Sequence, residues 1–173
     1  MDAMISPIAK LLEAELAAQG VDVSTLGEAD YAPAVRSFAS RLSTRVTVAQ
    51  AWAEHLGALA DHKQVLALTG WTKQALHEAV KAHRVLRLQD DDKRFAYLVA
   101  GFDDNHPARP LLGLKEVLKP WAELDPRGWA AASWFMSPQP ELGGRTPRDA
   151  LVDNAMPADV AVLAEQAAAR LAA

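Results

Sequence analysis

The chain has 173 residues, 50% of them hydrophobic and 23% charged, with a formal net charge of −4. That is length for one substantial core or two small ones, in an ordinary globular composition that excludes a disordered chain. The lack of cysteine excludes disulfides, thiolate metal sites and a cysteine nucleophile, and a net negative charge excludes coating nucleic acid by bulk electrostatics while leaving room for a local basic face.

Abundant alanine and few β-branched residues favour helix. Ile5, Ile8, Leu11, Leu12 and Leu16 recur at helical spacing, interrupted by Asp2, Lys10, Glu13 and Glu15. This reads as an amphipathic helix ending at Gly20, rather than a signal peptide or membrane span, and the expected setting is cytoplasmic. Residues 21–31 read as a linker. A second helix is expected over 33–42, with Val35, Phe38 and Leu42 on one side. A third is expected over 47–59, with Val48, Ala51, Trp52, His55 and Leu56 as its stripe. The segment 1–60 is thus a set of N-terminal helices whose acidic first member is a candidate dimerisation element.

Residues 61–100 carry a different pattern. A short helix over 63–68, a turn at Gly70 and a helix capped by Thr72 and running to Ala82 have helix-turn-helix spacing, with Ala67 small at the crossing and Leu76, Ala79 and Val80 inward. The opposite face then carries Lys73, Gln74, His77, Lys81 and Arg84, beside Thr72 at the helix start. Lysine and arginine suit phosphate or guanine, glutamine suits adenine, and a helix N-terminus favours phosphate. These six residues form the candidate DNA-binding set. Residues 85–88 and 94–99 alternate as a β-hairpin would, forming a wing-like flap whose Arg87, Lys93 and Arg94 could reach a backbone, although Asp90–Asp92 would repel it.

Residues 101–110 form a polar, proline-bearing loop, read as a hinge. Helix is expected over 114–124, kinked or split by Pro120, and again from Asp125-Pro126 through Trp129 to Met136. Pro138 and Pro140 stop that helix, Gly143 and Gly144 reverse the chain, and Thr146 caps a short helix ending near Asn154, with Pro147 at its first position. A last helix begins at Met156-Pro157 with Val160, Leu163 and Leu171 as anchors.

A helix ending in Trp134-Phe135, a proline-broken turn, then Leu142-Gly-Gly-Arg-Thr-Pro147, resembles the toxin-binding domain of the Xre/MbcA/ParS antitoxin family over about the last fifty residues. Arg148 stands where the family pattern carries an apolar residue. The resemblance implies a helix-turn-helix region that represses the operon and a helical C-terminal domain, here 111–173, that covers the active-site cleft of a RES-domain toxin, a small NAD-degrading enzyme. It also implies that Trp134 and Arg145 anchor the toxin, since interface hot spots favour aromatic and arginine side chains, and that Glu165, Gln166 and Arg170 lie nearest the cleft. Such regulators bind palindromic operators as symmetric dimers, so a homodimer is expected.

Nothing in the chain spells an enzyme. There is no nucleophile elbow, no phosphate-binding glycine loop and no histidine pair at i and i+4; His55, His62, His77, His83 and His106 are scattered, and the aspartates at 90–92 and 103–104 match no calcium loop. No metal or cofactor is expected. The expected protein is mainly α, a helix-turn-helix region with a small β-hairpin followed by a helical toxin-binding domain. The chief alternative is a stand-alone helix-turn-helix regulator whose C-terminal half senses a ligand or another protein, and a third reading is a pure interaction module that never touches DNA.

Overall fold

The computed structural model describes residues 7–22, 27–153 and 157–172, with the backbone alone at 7, 8 and 28–30. Ile5, the expected helix end at Asn154 and the expected start at Met156 lie outside the described residues. The fold is mainly α with a small antiparallel hairpin, as expected, and one further strand makes the sheet three-stranded. No helix among the described residues is long and apolar enough to cross a membrane.

The chain divides into two compact units, 1–48 and 49–173. The first holds α1 (Pro7–Ala18) and most of α2 (Glu28–Leu56), whose 29 residues are one continuous helix where two helices and a linker were expected. The polar, β-branched run Ser43–Val48 reads as a break, but Thr44 and Thr47 donate their hydroxyls to the carbonyls of Ser40 and Ser43 at 3.1 and 3.0 Å. Their polar groups are satisfied inside the helix, so no break is needed. Pro33 removes one backbone donor without ending the helix.

The second unit is built around the sheet. β1 (Leu59–Ala60), which the sequence pattern did not signal, pairs with β3 (Phe95–Leu98), and β3 pairs with β2 (Arg87–Gln89) in the order β1-β3-β2. Side chains alternate across a strand, and here each face has its own core. Leu59, Leu88, Ala96 and Leu98 join one core with the C-terminal helices; Ala60 and Tyr97 join another with Val65, Leu76, Ala79, Val85 and Phe102. The hairpin is therefore a middle layer and not a free flap. Its β2 edge is pinned: the Gln89 N–H donates to the Arg127 carbonyl at 3.0 Å, and Trp129 Nε1 donates to the Gln89 carbonyl at 2.8 Å.

Against the face of Ala60 and Tyr97 lie α3 (His62–Thr69) and α4 (Lys73–Lys81), joined by a turn at Gly70 with φ 67°. Asp61 and Gln64 form a capping box, and Thr72 Oγ1 accepts from the Ala75 N–H at 3.1 Å. Ala67 is exposed rather than at a helix crossing; Val65 and Thr69 are the buried residues of α3. The expected hinge at 101–110 is instead tied down. Asp103 accepts from the Arg109 N–H at 2.8 Å, the Ala108 N–H donates to the Leu68 carbonyl, and Arg109 donates to the Thr69 carbonyl, so the loop covers the orphan carbonyls ending α3.

On the other face, α5 (Leu114–Leu118) gives way at Pro120 to one tight turn. α6 (Trp129–Met136) begins later than the Asp125-Pro126 signal, yet Asp125 still caps it by accepting from the N–H groups of Gly128 and Ala131. α7 (Pro147–Val152) starts with the expected Thr146 cap and Pro147, and α8 (Pro157–Leu171) packs on α5 and α7. Val160, Ala164 and Ala168 are its buried residues; Leu171, expected as an anchor, is 53% exposed. The expected segments 61–100 and 111–173 thus lie together in one unit, on opposite faces of the sheet.

Candidate interaction surfaces

α4 offers the first surface. Leu76 and Ala79 are fully buried, which fixes the helix rotation and turns Lys73, Gln74, His77 and Lys81 outward. At about 100° per residue those four lie within roughly 100° of one another. None of the four, nor Arg84, makes a side-chain hydrogen bond or ion pair among the described residues. Arg84 lies beyond the helix end, where its N–H donates to the Ala79 carbonyl. Thr72 is exposed, and its oxygen is occupied by capping. Four solvated side chains of one helix face, two of them lysines, therefore point to solvent together, an arrangement that suits an anionic backbone.

The hairpin tip adds little positive charge. Arg94 pairs with both Asp90 and Asp92, and Asp91 pairs with Arg127 at 2.8 Å. Hydrogen bonding to Asp92 and the two nearby carboxylates hold the Arg94 guanidinium more firmly protonated. Lys93 adopts φ 62°, and Arg87 stacks 4.2 Å over the Phe95 ring.

The second surface is the run after α6. Phe135 is fully buried and Trp134 half-buried, its ring 5.8 Å from that of Trp121. Trp129 is half-buried against Trp52, with ring centroids 5.0 Å apart. The turn that follows is organised by Gln139, a residue the sequence pattern did not single out. Its N–H donates to the Arg145 carbonyl at 2.9 Å, its carbonyl accepts from Leu142 and Gly144, and its side chain donates to the carbonyls of Trp134 and Ser137. Gln139 thereby ties Trp134 to Arg145. Arg145 is exposed and pairs with Asp153 at 3.2 Å. The Thr146 hydroxyl holds the Asp149 carboxyl below its usual range despite partial burial.

Glu165, Gln166 and Arg170 are exposed on α8, where Glu165 shares a groove with Glu116 and Lys119. No hydrogen bond or ion pair among the described residues joins them to Trp134 or Arg145. The expected toxin-binding set therefore falls in two groups, one on the α6–α7 turn and one on α8. Among the described residues no three His, Asp or Glu side chains gather to hold a metal ion.

Comparison with known protein families, with curated proteins and with solved structures finds no match to this chain.

Proposed function

We propose that this chain is the antitoxin of a type II toxin–antitoxin pair: its C-terminal helices hold a RES-domain-like, NAD-degrading toxin, and α3–α4 repress its own operon by binding operator DNA. The observation that carries the reading is the turn over Gln139–Asp149. It is fixed by backbone hydrogen bonds and the Thr146 cap, it leaves Arg145 exposed, and Gln139 ties it to the backbone of half-buried Trp134. A pre-organised turn displaying an arginine is what a tight protein interface uses. The open cationic face of α4 supports the DNA role.

A homodimer fits the same reading. Within the first unit α2 keeps Val35, Phe38, Leu42 and Val46 between 38% and 47% exposed, and α1 leaves Leu11 73% exposed. A long helix draws its stability from a packed apolar face, and a second copy would cover this one by a two-fold contact. Sedimentation equilibrium of the wild type and of Phe38→Glu tests it: the wild type sediments as a dimer and the variant as a monomer. A monomeric wild type at micromolar concentration removes the dimer from the proposal.

The decisive experiment is co-expression with the protein encoded beside this chain, reading growth and intracellular NAD. A neighbour that alone arrests growth and drains NAD, with both restored by this chain, supports the antitoxin. A harmless neighbour that does not co-purify overturns it. The alternative, a stand-alone regulator sensing a ligand, is favoured by one observation, the cleft between α4 and the C-terminal helices. Arg145→Ala separates the two: it releases toxin under the first reading and leaves operator binding intact under both.

A further inference from the structure

A cleft of about 360 Å³ opens where the end of α4 and the start of β2 meet the segment between α5 and α6. Its volume falls in the range that holds small ligands. Leu118 and Trp121 supply apolar wall, and Lys81, His83 and Arg87 bring cationic or protonatable groups. The one carboxylate in the lining, Asp125, accepts from the N–H groups of Gly128 and Ala131, so it is committed to capping α6.

Three further features define the walls of this cleft. Trp121 is 5% exposed, a firmly packed wall whose indole N–H, with no acceptor among the described residues, is sealed from the cleft. His83, at φ 56°, closes α4 in a left-handed helix end, its N–H donating to the Val80 carbonyl and the Arg84 N–H to the Ala79 carbonyl. The walls are also fixed in place: Arg87 is stacked on Phe95, and Gly128 packs against the Arg87 backbone with no room for a side chain.

We propose that this cleft binds a small organic anion, a flat apolar body bearing one carboxylate or phosphate. The body lies against Trp121 and Leu118, and the charge sits among Lys81, His83 and Arg87. Cations lining a cleft favour an anion over a neutral molecule of the same shape. The site stands whether or not the chain is an antitoxin, because its test reads ligand binding alone.

The test is a titration of the full-length, isotopically labelled chain followed by amide and indole N–H resonances. The probes are 2-naphthoate, 2-naphthyl phosphate and uncharged 2-naphthalenemethanol. The expected result is saturable shifts at the Trp121 indole and at amides of 81–87 and 118–131, with both anions binding at least about tenfold more tightly than the alcohol. Binding by only one anion identifies the head group and keeps the proposal. Lys81→Ala, an exposed change, weakens the anions about threefold or more and leaves the alcohol unchanged. If Arg87→Ala loses the native spectrum, Lys81→Ala alone decides the charge. The proposal is overturned by equal affinity for anion and alcohol, by anion binding indifferent to Lys81→Ala, or by no saturable shift at the cleft. Shifts confined to 31–48 overturn it too, since they place the probe on the apolar stripe of α2.

Discussion

Gly128 is where β2 and α6 come closest, and replacing it with alanine tests that contact directly. The residue adopts φ 81°, where an L side chain costs about 1–2 kcal/mol. Its added Cβ would also lie 3.2 Å from the Arg87 carbonyl carbon and closer still to the oxygen, so strand and helix must separate. Forced overpacking of that kind adds about 1–3 kcal/mol, for a total near 3 kcal/mol. Gly70→Ala is the control. Its φ is 67°, but its Cβ would meet nothing nearer than Pro107 at 3.8 Å, an ordinary contact, so only the backbone term of about 1 kcal/mol remains. Urea unfolding followed by far-ultraviolet circular dichroism and tryptophan fluorescence gives both values on one scale. The two variants should differ by about 2 kcal/mol. Gly128→Ala no less stable than Gly70→Ala would refute the close approach of β2 to α6, and with it the fixed wall of the cleft.

Phe135→Ala empties a fully buried ring from the C-terminal core and should cost about 3–5 kcal/mol by the same unfolding assay. Combined alanine substitution at Lys73, Gln74 and His77 should leave stability within about 0.5 kcal/mol, because all three are exposed, while operator binding measured by fluorescence anisotropy is lost. The Asp103 carboxyl sits below its usual range, chiefly through the Arg109 N–H and then Asn105, and Asp149 is lowered by Thr146 and Arg148. Both folded-state values lie below the unfolded one, so their stabilisation is complete above an unfolded pKa of about 3.9 and is lost as pH falls through the folded values. Stability measured between pH 6 and pH 2 should therefore decline at the acid end, and Asp103→Asn should flatten that decline.

The parts of the fold written in local chemistry could be read from the chain. Thr72 followed by an inward Leu76 and Ala79 gives cap, helix and rotation together, which is why the outward set on α4 lies where the pattern put it. Thr146-Pro147 gave the start of α7 in the same way. What failed to show depends on partners distant in sequence. β1 is only Leu59–Ala60, and it is a strand because Leu98 and Tyr97 arrive beside it. α2 reads as a linker and two helices, and the bonds from Thr44 and Thr47 to earlier carbonyls that carry it through as one do not show in the spacing of apolar residues. The 101–110 loop looked like a hinge because its polarity is visible while the targets of that polarity, the end of α3 and its own Arg109, are not. The cleft follows the same rule: Lys81, His83 and Arg87 are close in sequence, but Leu118 and Trp121 reach them only through the packing of β2 on α6.

That packing also limits how the two proposed surfaces can be separated. The alternating side chains of β3 serve two cores, with Tyr97 among the residues of α3 and α4 and Leu98 among those of the C-terminal helices. Leu86, Leu88 and Leu98 are at most 3% exposed, and they belong to the core that Leu56 and the C-terminal helices build. A fragment cut at the loop would retain the α4 face and uncover this apolar layer, which costs roughly 1.5–3 kcal/mol for each leucine returned to water. A small domain stabilised by about 5–15 kcal/mol in all cannot absorb several such losses. The helix-turn-helix spacing in this chain therefore marks one layer of a larger body, and the two proposed surfaces, on α4 and on the turn after α6, share a single folding unit.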